Sequence, residues 1–124
     1  MPVISGATAP VFTIGTTRFT GLAAPSRGSS ETCVWRTTVA PGAEPNEHSL
    51  DREEVLVVVA GSGVARLAGT EHPVTAGDAI VVPAQTMFGL GNPHDEPLEL
   101  IAALPVGARA RLSDGTTIVP PAAV

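Results

Sequence analysis

Between residues 33 and 104 the chain alternates short apolar runs with clusters of Gly, Pro, Asp and Ser, and the longest unbroken apolar run is Val55 to Ala60. Four of those six residues are valine. Valine is stiff in a helix and suits a pleated strand, so strand outweighs the competing reading of Asp51-x-x-Glu54 as a helix-capping box. Both alternating sets, Val55/Val57/Val59 and Leu56/Val58/Ala60, are apolar, which predicts a strand covered on both faces and, with it, a homodimer contact outside the fold.

Other strands follow from the same pattern. Cys33 to Ala40 is rich in β-branched and aromatic residues, with Cys33, Trp35, Thr37 and Val39 on one face and Val34, Arg36, Thr38 and Ala40 on the wetter one. Pro41-Gly42 fits a type II turn, and Gly61-Ser62-Gly63 is expected to be a hairpin turn into Val64 to Leu67. Pro73 to Thr75, Ala79 to Val82, Phe88 to Gly91 and Leu98 to Leu104 read as further strands. Residues 1–30 supply one or two edge strands, and Val106 to Val124 at most one more, with a flexible tail from about residue 113. No segment keeps a helical period for more than a couple of turns. The prediction is one all-β domain over residues 1–124, a sandwich or small barrel.

Composition narrows the partners. With 7 basic and 12 acidic residues the formal charge is -5, and no cluster of Lys or Arg offers the positive face that a phosphate backbone requires, so nucleic acid is not expected. No apolar run approaches the ~20 residues that span a bilayer, and no membrane partner is expected. The single cysteine, Cys33, excludes an intramolecular disulfide. With an opening that lacks a basic region before an apolar stretch, it favours a cytoplasmic protein.

The polar residues that could do chemistry gather just ahead of the valine-rich strand: His48, Glu53 and Glu54. Alternation puts Glu53 and Glu54 on opposite faces of the strand, and Glu53 reads as a solvated charge. Trp35 is the only tryptophan, and His72 sits beside Glu71 in what reads as a surface hairpin.

The spacing of these residues resembles the cupin family of small jelly-roll β-barrels. The first cupin motif, G-x5-H-x-H-x3,4-E-x6-G, is matched in spacing by Gly42, His48, Leu50, Glu54 and Gly61. The second, G-x5-P-x-G-x2-H-x3-N, is matched by Gly77, Pro83, Gln85, Phe88 and Asn92. The resemblance implies a single cupin barrel of the double-stranded β-helix type. It also implies a site at His48, Leu50, Glu54 and Phe88, the positions of the family's metal ligands. Leu50 and Phe88 have no lone pair to donate, and one imidazole plus one carboxylate falls short of a zinc or iron ligand set. Glu53, Gln85, Cys33 and His94 are the residues that could substitute; otherwise any divalent metal would rest on His48 and Glu54 alone.

The function expected is therefore metal-independent acid–base catalysis, of isomerase, dehydratase or cyclase type, on a small apolar or aromatic substrate. His48 and Glu54 would be catalytic, and Trp35, Leu50, Gln85, Met87 and Phe88 would bind the substrate. Two alternatives stand beside it: a ligand-binding cupin without chemistry, and a metal-dependent oxygenase or isomerase with substitute ligands.

Overall fold

The computed structural model describes residues 3–124; Met1 and Pro2, part of the opening that reads as leaderless, lie outside the described residues. The described residues form twelve strands and three single-turn 3₁₀ helices. The strands are β1 (Val11–Ile14), β2 (Thr17–Ala23), β3 (Thr32–Val39), β4 (Ser49–Leu50), β5 (Glu54–Ala60) and β6 (Ser62–Leu67), then β7 (Thr70–Thr75), β8 (Ala79–Val82), β9 (Phe88–Gly91), β10 (Leu98–Pro105), β11 (Ala110–Arg111) and β12 (Thr117–Ile118). Among the described residues no helix is long and apolar enough to cross a membrane.

One wall of the barrel is a six-stranded antiparallel sheet in the order β1-β2-β3-β10-β5-β8. The facing wall consists of two three-stranded sheets, β12-β11-β4 and β7-β6-β9. An isolated bridge between His48 and Phe88 joins them: the His48 N–H donates to the Phe88 carbonyl at 2.9 Å and the Phe88 N–H to the His48 carbonyl at 2.8 Å. This is the small all-β barrel that the strand pattern predicts, in the jelly-roll form that the cupin resemblance implies.

The alternation holds where it was read. Cys33, Trp35, Thr37 and Val39 are all buried, while Val34, Arg36 and Thr38 are half-exposed on the outer face. Glu54, Leu56 and Val58 point into the barrel; Val57 and Val59 point out and are 38% and 44% exposed, beside Val81 on neighbouring β8 at 55%. The Asp51 carboxylate caps no helix. It accepts the Arg109 backbone N–H at 2.7 Å and so ties the chain before β5 to the segment entering β11.

Three expectations change. Gly61-Ser62-Gly63 is not a hairpin, because β5 pairs with β10 and β8 whereas β6 pairs with β7 and β9. The chain instead crosses from one wall to the other there. Gly61 has φ +80°, and a Cβ on it would meet the Pro97 carbonyl oxygen at 2.3 Å, so only glycine fits this corner. The C-terminal region contributes two strands, not one. And the tail is not loose: Ala122 and Ala123 are buried, the Ala123 carbonyl accepts from Cys33 Sγ at 3.5 Å, and the Val124 carbonyl accepts from the Ser26 backbone N–H at 3.3 Å.

Asn92 fastens one end of the barrel. Fully buried, it donates from Nδ2 to the carbonyls of Val39 (3.2 Å) and Glu96 (2.7 Å) and accepts the His94 N–H at 3.1 Å. Its own carbonyl accepts the N–H of Gly42, the positive-φ residue of the Pro41-Gly42 turn. Asn92→Ala would leave these buried groups unpaired, so we expect a loss of about 2–4 kcal/mol in urea unfolding with the circular dichroism spectrum of a β protein retained. A loss under about 1 kcal/mol would show that water replaces the amide at no cost.

Candidate active site

The barrel encloses a cavity of about 280 Å³. Its floor is the inner face of the six-stranded wall, with Trp35 and Thr37 from β3 and Glu54 and Leu56 from β5. The opposite side carries His48, Leu50 and Phe88, brought together by the bridge between the two smaller sheets. Phe12, Ile14 and Phe19 from the β1–β2 hairpin, and Leu112 and Ile118 from the C-terminal region, complete an apolar enclosure.

His48 is half-buried, and its ring lies 4.4 Å from that of Phe88 between centroids. Nδ1 sits 3.1 Å from the Asn46 carbonyl oxygen. A carbonyl can only accept, so Nδ1 carries the proton and the neutral ring keeps its lone pair on Nε2. Burial pushes the pKa of His48 down, and the bond to Asn46 offsets this only in part. The imidazole is thus a neutral base near pH 7.

Glu54 is in the opposite condition. It is 3% exposed, and Oε1 has no hydrogen-bond partner among the described residues. Burial raises its pKa to about 8, so it holds its proton at neutral pH. The Asn46 backbone holds the His48 ring, and no hydrogen bond joins Glu54 to it among the described residues.

Of the five residues expected to bind substrate, Trp35, Leu50 and Phe88 line the cavity and Gln85 and Met87 do not. Gln85 occupies the glycine position of the second motif and keeps a glycine-like φ of +62°; its N–H bonds the Leu50 carbonyl at 2.7 Å while its side chain is exposed. Met87 belongs to the wrong side of the alternation that turns Phe88 inward and is 37% exposed. Thr37, Glu47 and Asp114 line the cavity and have no counterpart in the sequence reading. Period two already placed Thr37 beside Trp35; nothing local could have placed Asp114.

The donor set does not fit a resident metal. Leu50 and Phe88 present hydrocarbon at two of the four positions where the cupin motifs place metal ligands. The substitutes are elsewhere: Glu53 and His94 are exposed, Gln85 is turned away, and Cys33 lies under the C-terminal tail. Among the described residues no three His, Cys, Asp or Glu side chains gather as an ion requires.

The jelly-roll barrel thus carries an apolar-lined cavity with an imidazole and a buried carboxyl. The family profile of the cupin domain matches residues 35–104, and the chain belongs to this family. Auxin-binding protein 1 of Arabidopsis thaliana is 33% identical over 86 residues, 62% of this chain and 43% of that protein, so the chain spans less than half the length of this curated relative. Among solved structures, the polyketide cyclase RemF of Streptomyces resistomycificus superposes with a TM-score of 0.80 at 16% identity, covering 98% of this chain and 88% of that one. A cupin-superfamily sugar phosphate isomerase of Silicibacter pomeroyi gives 0.74 at 19% identity, covering 91% and 82%. The Streptomyces nucleoside dehydratase Pac13 gives 0.69 at 20%, covering 85% and 82%.

The buried acid has a consequence for stability. Between the ordinary carboxylate pKa of 4.5 and about 8 the folded protein holds a proton on Glu54 that the unfolded chain has lost. Unfolding then releases that proton, so stability falls as pH rises through this window, by at most about 1.4 kcal/mol per pH unit from this group. Glu54→Gln should flatten this dependence and melt above the wild type at pH 8; a wild-type profile already flat from pH 5 to 8 would show that Glu54 ionises freely.

Proposed function

We propose that this protein is a metal-independent acid–base enzyme that eliminates water from, cyclises or isomerises a small apolar or aromatic substrate. The observation that carries the reading is a neutral base and a protonated acid facing one apolar cavity. In an elimination, His48 Nε2 takes a proton from the carbon next to a carbonyl. The electron pair forms the new C=C bond, and the Glu54 proton leaves with the departing hydroxyl as water. His48 and Glu54 are left as imidazolium and carboxylate, and one proton passing from the first to the second restores both. In an isomerisation the same two groups move a proton off one atom and onto another. Fold neighbours described as a polyketide cyclase, a sugar phosphate isomerase and a nucleoside dehydratase support small-molecule chemistry of this kind.

A binding module without chemistry is the second reading, supported by the relative named an auxin-binding protein. Mutation separates the two. His48→Gln and Glu54→Gln should each lower kcat by about 10²–10⁴-fold in the enzyme, whereas a binding module would lose only modest affinity. The enzyme's kcat/KM should be bell-shaped. Its acid limb should lie below the ordinary histidine value, where His48 gains a proton, and its alkaline limb near pH 8, where Glu54 loses one. An alkaline limb that persists in Glu54→Gln would remove Glu54 from the acid role.

We also infer that the protein pairs with a second copy of itself through the outer face of the six-stranded wall. Val81, Val55 and Ala103 lie in one row across β8, β5 and β10, with Val57 and Ile101 in the next. On the same face, Arg36 is paired with Ile101 and Glu99 with Thr38, and neither charge has an ion-pair partner among the described residues. A two-fold axis over this face would bury the valines and bring Arg36 of each copy toward Glu99 of the other. Sedimentation should find a dimer, and Val57→Asp should make it a monomer with an unchanged circular dichroism spectrum; a monomeric wild type at high concentration overturns the inference.

A further inference from the structure

Three polar atoms on the cavity floor are buried without hydrogen-bond partners among the described residues: Trp35 Nε1, Thr37 Oγ1 and Glu54 Oε1. Their residues are 4%, 2% and 3% exposed. Trp35 and Thr37 follow each other on the inner face of β3, and Glu54 starts the inner face of β5. The strand between them, β10, places Ala102 opposite both Trp35 and Leu56, so a methyl group lies between these two, while Leu100 stands opposite Thr37. With strands spaced about 4.8 Å, β3 and β5 stand about 10 Å apart, the length of a two-ring aromatic system. Leaving a buried donor or acceptor unpaired costs roughly 1–3 kcal/mol, and three lie on one surface of one cavity.

The charges around the cavity are one-sided. No Lys or Arg lines it, while Glu47, Glu54 and Asp114 do. Arg66 touches the Glu47 carboxylate from outside at 3.3 Å and is also held by Glu71 at 2.7 Å. Hydrogen bonds from Thr116 hold Asp114 below its usual carboxylate pKa, so it stays charged. An anionic ligand would lose its water, meet no cation and face this carboxylate.

We propose that the cavity selects an uncharged, oxygen-bearing aromatic substrate, a hydroxylated aromatic ketone, whose deepest oxygens are read by Trp35 Nε1, Thr37 Oγ1 and Glu54, and that it rejects carboxylates and phosphates. The Trp35 N–H donates to the carbonyl oxygen, and the Thr37 hydroxyl donates or accepts. Glu54 donates its proton to an oxygen at the other end. Thr37 becomes a specificity-determining residue, acting through a hydrogen bond made only when a ligand is bound. This rests on reading the cavity as the substrate site.

Calorimetric titration of the wild-type protein with three probes of one size tests it: hydroxytetralone (neutral, ketone and phenol), tetralin (hydrocarbon) and hydroxynaphthoate (anion). Hydroxytetralone should bind about tenfold or more tighter than either of the others at neutral pH. Trp35→Phe and Thr37→Val should each weaken it about tenfold, and Thr37→Ser should keep the affinity. Thr37→Val should at the same time melt no lower than the wild type, because it removes an unpaired buried hydroxyl. A structural role would lower stability and affinity together. Equal or tighter binding of hydroxynaphthoate, no binding of hydroxytetralone, or undiminished affinity in Thr37→Val overturns the proposal. Because these titrations read binding alone, they can fail while the His48→Gln loss of turnover upholds acid–base chemistry, and they can succeed where that loss is absent.

Discussion

The reciprocal backbone bond between His48 and Phe88 is the seam on which the barrel depends. Without it the facing wall is two separate three-stranded sheets, one at each end, and the cavity has no continuous second side. Because the bond is made by main-chain groups, it also sets the imidazole against the Phe88 ring without any demand on either side chain. The imidazole therefore sits on a closed ladder and not on a free loop. The Asn46 carbonyl, two residues upstream, fixes the tautomer from the same segment.

Opposite this seam the protein accepts a cost. Trp35, Thr37 and Glu54 bring unpaired polar atoms into a surface that hydrocarbon would fill more stably. Around them the six-stranded wall is tightly packed, with Val39, Leu98 and Leu100 fully buried. Burial of the Glu54 carboxyl without a partner is what keeps it protonated. The same absence of a neighbouring cation that destabilises the site thus gives it an acid at neutral pH. Base and acid are tuned in opposite directions by one cause, desolvation, acting on groups of opposite charge type.

Most positions of the two motifs are architectural. Gly42 closes a turn, Gly61 lets the chain cross beneath the Pro97 carbonyl, and Asn92 ties three segments together. Gln85 has replaced a glycine yet holds a positive φ, so the turn is retained through strain in place of freedom. Leu50 and Phe88, by contrast, turn their side chains to the cavity.

The sequence by itself determined the longer strands between residues 33 and 104, because period-two alternation and β-branched residues act locally. It likewise set Glu53 and Glu54 on opposite faces, since a strand flips successive side chains, with the motif spacing choosing Glu54 for the inner one, and it determined the turn at Pro41-Gly42. The spacing of two motifs was enough to align His48, Leu50, Glu54 and Phe88. Only the tertiary structure decided that Gly61 is a corner between walls, because a corner and a hairpin share the same glycines and differ in which distant strands they pair with. It alone decided that Gln85 and Met87 leave the site and that Asp114 and the C-terminal tail enter it. It also decided that Glu54 is an acid: a side chain's direction follows from its neighbours in sequence, but its protonation follows from what surrounds it in space, and those groups come from strands far apart along the chain.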